Sequence, residues 1–297
     1  MTRIQIGAKV PNSGPLPAER GIGAMAAELE QAGFDSLWVS DHVIMPAAVS
    51  SWYPFAEDGK VNWPTDAPYI DAMIALMAIA AATERARIGT AVLVLPLRQP
   101  VVLAKQAASI DVLSGGRLEL GVGAGWMAEE FEALDVPFAD RGPILTEWIG
   151  LLRAVWTGQP DPVEGAHYTL PGGLHSGPVP PHQIPLLMGG HSAAARKRAG
   201  TIGDGWLAQQ SAAELDPADL AAGIAQMRRA AAAAGRDPDG LRTVLRIVDS
   251  AGRPELISPA LPALSDAGIS EIILDTDWSV PGSAAAAGQM LRTAEQT

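Results

Sequence analysis

The chain alternates short apolar stretches with longer stretches in which apolar residues recur at helical spacing. Strand patterns lie at residues 4–10, 35–40, 86–94, 117–123, 184–188, 204–208, 242–249 and 270–274. Helical patterns follow them at residues 18–32, 69–84, 100–113, 127–134, 141–157, 192–200, 218–234, 255–267 and 283–294. The third strand ends in an unbroken apolar run, which is typical of parallel strands buried on both faces.

Eight strands, each followed by a helix, predict an α/β protein with a (β/α)8 TIM barrel, in one domain spanning residues 1–297. Such barrels use roughly 250 residues. Two irregular insertions, at residues 42–68 after strand 2 and at 158–183 before strand 5, account for the remaining length. A doubly wound sheet with a second domain is the alternative, and it predicts a change of composition near the middle of the chain. The strand-and-helix order is instead the same on both sides of residues 158–183.

Charge and composition exclude several classes of protein. The formal net charge is -12 and the chain has no cysteine. The acidic excess argues against nucleic-acid binding, and the lack of cysteine excludes disulfides and thiolate chemistry. The longest apolar run, Ala72–Ala82, is shorter than the ~20 residues that span a bilayer, and the first residues lead into a strand without a signal peptide. We expect a cytoplasmic protein with a small-molecule substrate and no nucleic-acid or membrane partner.

The end of strand 2 carries the best candidate for acid–base chemistry. Function in a TIM barrel gathers at the C-terminal ends of the strands, where Asp41 and His42 lie. Histidine exchanges a proton near neutral pH, and a neighbouring carboxylate raises its pKa or fixes its tautomer. The alternative is a loop histidine beside an aspartate that caps a helix. The five histidines have no metal-binding spacing, so we expect no metal.

Two glycine-rich turns are candidate ligand sites. Gly123 ends strand 4 and Gly125 follows it, and both would let a flat ligand approach the barrel mouth. Trp126 stands where a dinucleotide turn has its third glycine. The turn after strand 5 precedes a helix, whose N-terminus favours a phosphate, and it comprises Gly189, Gly190, His191 and Ser192. The same helix carries three basic residues, Arg196, Lys197 and Arg198. Trp52, Trp63 and Trp126 are candidates for an aromatic substrate pocket, with loop packing as their alternative role.

Taken together, the motifs at residues 32–42, 83–90, 104–117, 120–131, 184–190 and 203–206 resemble the luciferase-like monooxygenase superfamily, and within it the coenzyme F420-dependent oxidoreductases. The resemblance covers residues 3–208. It implies a deazaflavin at the barrel mouth and a homodimer. FMN is the alternative cofactor, and an FMN-dependent monooxygenase or a non-catalytic cofactor carrier are the alternative functions.

The resemblance also implies roles for individual residues. His42, with Asp41 beside it, would handle a proton next to the cofactor ring, and a non-proline cis peptide bond would lie between Ala91 and Val92 behind that ring. The other implied cofactor contacts are those of the two glycine-rich turns, with Gly189, Gly190 and Ser192 at the phosphate. Trp126 occupies a position where sugar-phosphate dehydrogenases of this family have glutamate, so an apolar or aromatic substrate is expected.

Overall fold

Eight parallel strands form a closed barrel in the computed structural model, which describes residues 3–294, with side chains to residue 289. In chain order the strands are β1 (Gln5–Lys9), β2 (Ser36–Val39), β3 (Arg87–Val94), β4 (Leu118–Gly123), β5 (Leu186–Gly189), β6 (Gly205–Ser211), β7 (Arg242–Val248) and β8 (Glu271–Leu274). Each strand pairs with its sequence neighbours, and β1 pairs with β8. The predicted TIM barrel is therefore confirmed, and the doubly wound sheet is wrong because a closed barrel has no edge strands.

Helices surround the barrel at the predicted places. They are α1 (Leu16–Arg20), α2 (Ile22–Gln31), α3 (Ala72–Ala82), α4 (Pro100–Leu113), α5 (Ala128–Ala133), α6 (Arg141–Val155), α7 (Ala193–Thr201), α8 (Pro217–Ala233), α9 (Pro254–Ile257), α10 (Leu261–Ala267) and α11 (Ser283–Ala294). The predicted helix at residues 18–32 is divided into α1 and α2, because Gly21 takes a positive φ of 79° between them. No helix among the described residues is long and apolar enough to cross a bilayer.

The two insertions differ in structure and in their relation to the barrel. The first connects the C-terminal end of β2 to α3 and is largely irregular. The second leads from α6 to the N-terminal end of β5 and contains a short antiparallel hairpin of Val163–Glu164 and Thr169–Leu170, which the sequence pattern did not predict. Only the first insertion therefore starts at the end of the barrel where parallel strands present functional groups.

Inward-facing side chains fill the barrel in three layers, because residues two apart on a strand share one face. The layer at the N-terminal ends is charged and comprises Gln5, Arg87, Glu119, Arg242 and Glu271, joined by hydrogen bonds and ion pairs. The middle layer is apolar and comprises Trp38, Leu187, Leu207, Val244 and Ile273. The layer at the C-terminal ends includes Lys9, Gln209, Arg246 and Asp275 and forms part of the floor of a cavity.

Candidate functional site

A cavity of about 1470 Å³ opens at the C-terminal ends of the barrel strands. It is larger than the roughly 300–1,000 Å³ typical of a pocket for one small molecule. Its lining includes every residue predicted from the sequence to act in catalysis, to bind the cofactor or to form the substrate pocket: Asp41, His42, Trp52, Trp63, Ala91, Val92, Gly123, Gly125, Trp126, Gly189, Gly190, His191 and Ser192. The structure thus brings together residues that are far apart in the sequence, and their contacts define what each one does.

The imidazole of His42 is oriented by Glu130. Its Nδ1 lies 3.0 Å from Oε2 of Glu130, whose side chain is almost completely buried, while the His42 side chain is 12% exposed. A carboxylate accepts a hydrogen bond from Nδ1–H, so the neutral ring has its unprotonated nitrogen at Nε2. The rings of Tyr69 and Trp126 pack edge-on against the imidazole at 5.5 Å and 6.2 Å. His42 is therefore held in one tautomer at the cavity wall.

The Asp41 carboxylate makes no hydrogen bond with His42, so the expectation that it orients this histidine is wrong. Oδ1 of Asp41 accepts a hydrogen bond of 2.5 Å from the Arg98 guanidinium, and Oδ2 accepts one of 3.0 Å from the Val94 N–H. The same guanidinium binds Asp71, the N-cap of α3. Burial raises the pKa of Asp41, and the Arg98 guanidinium opposes that rise. Asp41 thus ties the end of β2 to the end of β3.

Two consecutive glutamates at the start of α5 hold the first insertion over the cavity. Oε1 of Glu130 accepts hydrogen bonds from the N–H groups of Val43 and Ile44. Glu129 binds both the hydroxyl and the N–H group of Ser50 and of Ser51. Burial acts to raise the pKa of Glu129, but these hydrogen bonds lower it to about 2. Neither glutamate is predicted from the sequence to have a role, because each lies about eighty positions from its partners.

Aromatic side chains of the first insertion form one wall of the cavity. The Tyr53 ring lies edge-on to Trp63 and to Trp126, with centroids 5.0 Å apart in both pairs, and to Phe55 at 5.6 Å. Tyr53, Trp63 and Trp126 therefore support one another as a single apolar surface. Trp52 is different, since it is 65% exposed and packs on Gly59. Trp52 therefore lies at the rim of the cavity, although the sequence predicted it inside the substrate pocket.

The glycines of β4 and β5 make room for Val92. The peptide bond between Ala91 and Val92 is cis, as the family resemblance implied. A Cβ atom at Gly123 would lie 2.9 Å from Val92, and one at Gly189 would lie 2.7 Å from it. Gly125 has a φ of 84°, and a side chain there would meet Phe131 and Val94. Close packing between barrel strands therefore requires Gly123 and Gly189, whether or not a ligand lies above them. Gly125 is required by its positive φ and by the packing of Phe131 and Val94 against it.

The turn after β5 is held by two hydrogen bonds from β6. The Trp206 indole donates to the Gly190 carbonyl at 2.8 Å, and the Gln209 N–H donates to Nε2 of His191 at 2.9 Å. Burial, reinforced by the nearby Arg196, lowers the pKa of His191, so the neutral ring carries its proton on Nδ1. Ser192 is the N-cap of α7 and accepts from the Ala195 N–H. The first N–H groups of α7, which have no acceptor inside the helix, face this turn.

Two arginines complete the positive end of the cavity. Arg141, at the start of α6, and Arg198, on α7, both line it. Burial lowers the pKa of Arg198, and repulsion from Arg141 lowers it further. The predicted basic cluster is only partly correct, because Arg196 stacks on Trp206 and binds Gln226, whereas Lys197 is exposed outside the cavity. Among the described residues, no group of three histidine or acidic side chains is placed to hold a metal ion.

A family model described as luciferase-like monooxygenase matches residues 2–255. The chain belongs to the luciferase-like monooxygenase family. An uncharacterized protein of Mycobacterium tuberculosis is 36% identical over 212 residues, which are 71% of this chain and 72% of that relative. The F420-dependent glucose-6-phosphate dehydrogenase of Beutenbergia cavernae is 33% identical over 195 residues, which are 64% of this chain and 52% of that relative.

Solved structures share the fold of this luciferase-like chain over its whole length. An F420-dependent secondary alcohol dehydrogenase in complex with an F420-acetone adduct aligns with a TM-score of 0.79 and covers 99% of both chains. The two sequences are 19% identical, so this likeness concerns the barrel and its connections.

Proposed function

We propose that this chain is a coenzyme F420-dependent oxidoreductase that moves hydride to or from a small organic substrate. The observation that carries the proposal is the His42–Glu130 pair in the wall of a cavity large enough for a cofactor and a substrate. The names of the Beutenbergia cavernae relative and of the secondary alcohol dehydrogenase support the choice of F420.

The positive end of the cavity fits the phosphate of such a cofactor. The turn at Gly190, the N-terminus of α7 and the guanidinium groups of Arg141 and Arg198 all line this end. A helix N-terminus attracts anions, and a bound anion would relieve the repulsion between the two arginines. Because Arg198 is half-buried, an anion there is poorly screened by solvent.

The apolar part of the floor fits a flat ring. Val92, seated in the gap left by Gly123 and Gly189, presents its side chain to the cavity, and Ala91 lies beside it. A deazaflavin supplies hydride chemistry alone, because carbon replaces the ring nitrogen through which flavins react with oxygen. The ring would be held by Ala91, Val92 and the glycine-rich turns.

His42 would then manage the proton that accompanies the hydride. With Nδ1 bonded to Glu130, Nε2 accepts the hydroxyl proton of an alcohol, or donates a proton to a carbonyl oxygen when the ring is charged. The buried Glu130 carboxylate stabilises the charged ring in either direction. Tyr69 lies against the imidazole, and burial raises the pKa of its phenol, so this group stays protonated.

Cofactor binding tests the proposal. Titration of the purified protein with F420 and with FMN, followed by fluorescence, is expected to give micromolar or tighter binding of F420. A Gly190→Val variant is expected to weaken it at least tenfold, because Gly190 has a φ of 110° and its Cβ would lie 3.2 Å from Ala195. Gly173→Val is the matched control, since Gly173 also has a positive φ but lies in the second insertion with open space around it.

The results of this titration distinguish the proposed function from a flavin-dependent monooxygenase and from a non-catalytic carrier. Binding of FMN alone would contradict the proposal and favour a flavin-dependent monooxygenase. Tight F420 binding without turnover of any alcohol or ketone in a screen would favour a non-catalytic carrier. An unchanged F420 affinity in Gly190→Val would show that the phosphate lies elsewhere.

We also propose that the chain forms a homodimer through α3 and α4. These helices pack against each other, and Ile74 on α3 is 62% exposed. Val102 and Leu113 on α4 are also exposed. Apolar side chains exposed together favour an interface.

Sedimentation velocity is expected to give twice the 30.9 kDa of one chain, and Ile74→Glu is expected to give the monomer, because a buried charge would oppose association. Leu256→Glu, at an exposed apolar residue on α9, is the control and is expected to remain dimeric. A monomeric wild-type protein would refute the proposal.

A further inference from the structure

The floor of the cavity has a polar half that the proposed cofactor contacts leave unused. Lys9 ends β1, Asp275 follows β8, and Arg246 and Gln209 lie on β7 and β6. The strand register places Gln209 opposite Arg246, and it places Ala8 and Leu274, the residues before Lys9 and Asp275, opposite each other. All four side chains line the same cavity as His42. They form a continuous polar strip across half of the barrel mouth.

The two cations of this strip differ in how well they are paired. The Arg246 guanidinium donates to Asp275 at 2.5 Å and to the carbonyl oxygens of Ile247 and Ile273. Within the described part of the chain, the Lys9 ammonium group makes no hydrogen bond or ion pair. Burial lowers the pKa of Lys9 to about 8, and Arg246 adds to this effect while Asp275 opposes it. An ammonium group in such surroundings destabilises the fold unless it gains a partner.

We propose that the Lys9 ammonium binds an anionic group of the substrate, a carboxylate or a phosphate, at the polar half of the cavity floor. This inference rests on the proposed function, because it takes the apolar half of the floor to hold the cofactor ring. Arg246 is already bound to Asp275, so Lys9 is the cation of this strip that lines the cavity without an ion-pair partner. The substrate class expected from the sequence changes accordingly, from an apolar or aromatic molecule to one that also carries an anion. Tyr53, Trp63 and Trp126 would pack on its apolar part.

A pair of ligands that differ only in the anion tests the proposal. Isothermal titration calorimetry compares 4-oxo-4-phenylbutanoate with 1-phenylbutan-1-one, which has the same aryl ketone without the carboxylate, in the absence and presence of F420. The wild-type protein is expected to bind the acid about 10- to 100-fold more tightly than the ketone, the range for a hydrogen bond between charged groups. Lys9→Met is expected to bind both ligands equally, through loss of affinity for the acid alone. Lys197→Met is the control and is expected to keep the preference, because it removes the same charge from the surface.

Two further measurements separate this role from others. The Tm of Lys9→Met is expected to rise by a few degrees, because the variant no longer holds a partly desolvated ammonium group that has no carboxylate within ion-pair distance. A structural lysine would instead lower the Tm on removal. The affinity for F420 is expected to be unchanged. Equal binding of acid and ketone by the wild type, a preference for the acid that survives in Lys9→Met, or a loss of F420 affinity in that variant would each overturn the proposal. A wild-type protein that fails to bind F420 overturns the proposed function alone, since calorimetry with the apo protein needs no cofactor.

Discussion

Replacing His42 by alanine is expected to lower kcat for hydride transfer by about 100- to 10,000-fold, the usual contribution of a positioned acid or base. The substitution removes the imidazole that Glu130 orients at the cavity wall, so the proton must pass to water instead. The dissociation constant for F420 is expected to change little, because the anion contacts lie at the other end of the cavity. Turnover is measured from the absorbance of the cofactor, with an alcohol or ketone identified by screening.

Two comparisons make this result specific. Glu130→Gln is expected to lower kcat by a smaller factor, about 10- to 100-fold, because the amide still accepts from Nδ1–H but no longer stabilises the charged ring. His175→Ala makes the same substitution at an exposed position in the second insertion and is expected to behave as the wild type. A kcat for His42→Ala within threefold of the wild-type value would remove His42 from the proposed reaction.

The carboxylate that binds His42 could not be predicted from the local sequence pattern. Asp41 precedes His42, and adjacency favours it as the partner. Residues that follow one another at the end of a strand point to opposite sides, so Asp41 turns toward Arg98 and away from the imidazole. Glu130 reaches His42 only because α5 lies over the first insertion, and no periodicity within either segment encodes that placement. Family motifs do mark Glu130, since it lies in the resemblance at residues 120–131.

The barrel itself could be predicted because its strands and helices are regular. Buried parallel strands such as β3 have unmistakable apolar runs, and glycines such as Gly33 and Gly268 mark helix ends with positive φ. The hairpin at residues 163–170 escaped detection because its strands are only two residues long. The packing role of Gly123 and Gly189 could not be predicted either, because the side chain that fills the space beside them, Val92, comes from another strand.

The sequence pattern did not predict the charged layer at the N-terminal end of the barrel. Its members are spread over five strands, and only the closure and register of the barrel bring them into one ring. Glu271 is fully buried at the centre of this ring and accepts from Arg87 at 2.7 Å and from Arg242 at 2.8 Å. Ser36 and the Trp38 indole also donate to it. The ring therefore closes the end of the barrel opposite the cavity.

Glu271→Ala is expected to destabilise the protein by about 3 to 5 kcal/mol, because it leaves the partly buried guanidinium groups of Arg87 and Arg242 with Glu119 as their remaining carboxylate. For a chain of 297 residues this corresponds to a fall in Tm of roughly 5 to 8 °C. Glu271→Gln keeps the shape and part of the hydrogen bonding, so a smaller fall is expected. Thermal unfolding followed by circular dichroism measures both.

An ion pair on the surface is the control that shows whether burial causes the destabilisation expected for Glu271→Ala. Glu28 binds Arg20 at 3.0 Å, but its side chain is 42% exposed, so Glu28→Ala is expected to change the free energy of unfolding by less than ~1 kcal/mol. If Glu271→Ala and Glu28→Ala shifted the Tm equally, the ring would contribute no more than a surface ion pair. The ring lies two layers below the cavity floor, so Glu271→Gln should keep its affinity for F420 at temperatures where it is folded. Loss of that affinity would mean that the ring sets the geometry of the strand ends as well as the stability of the barrel.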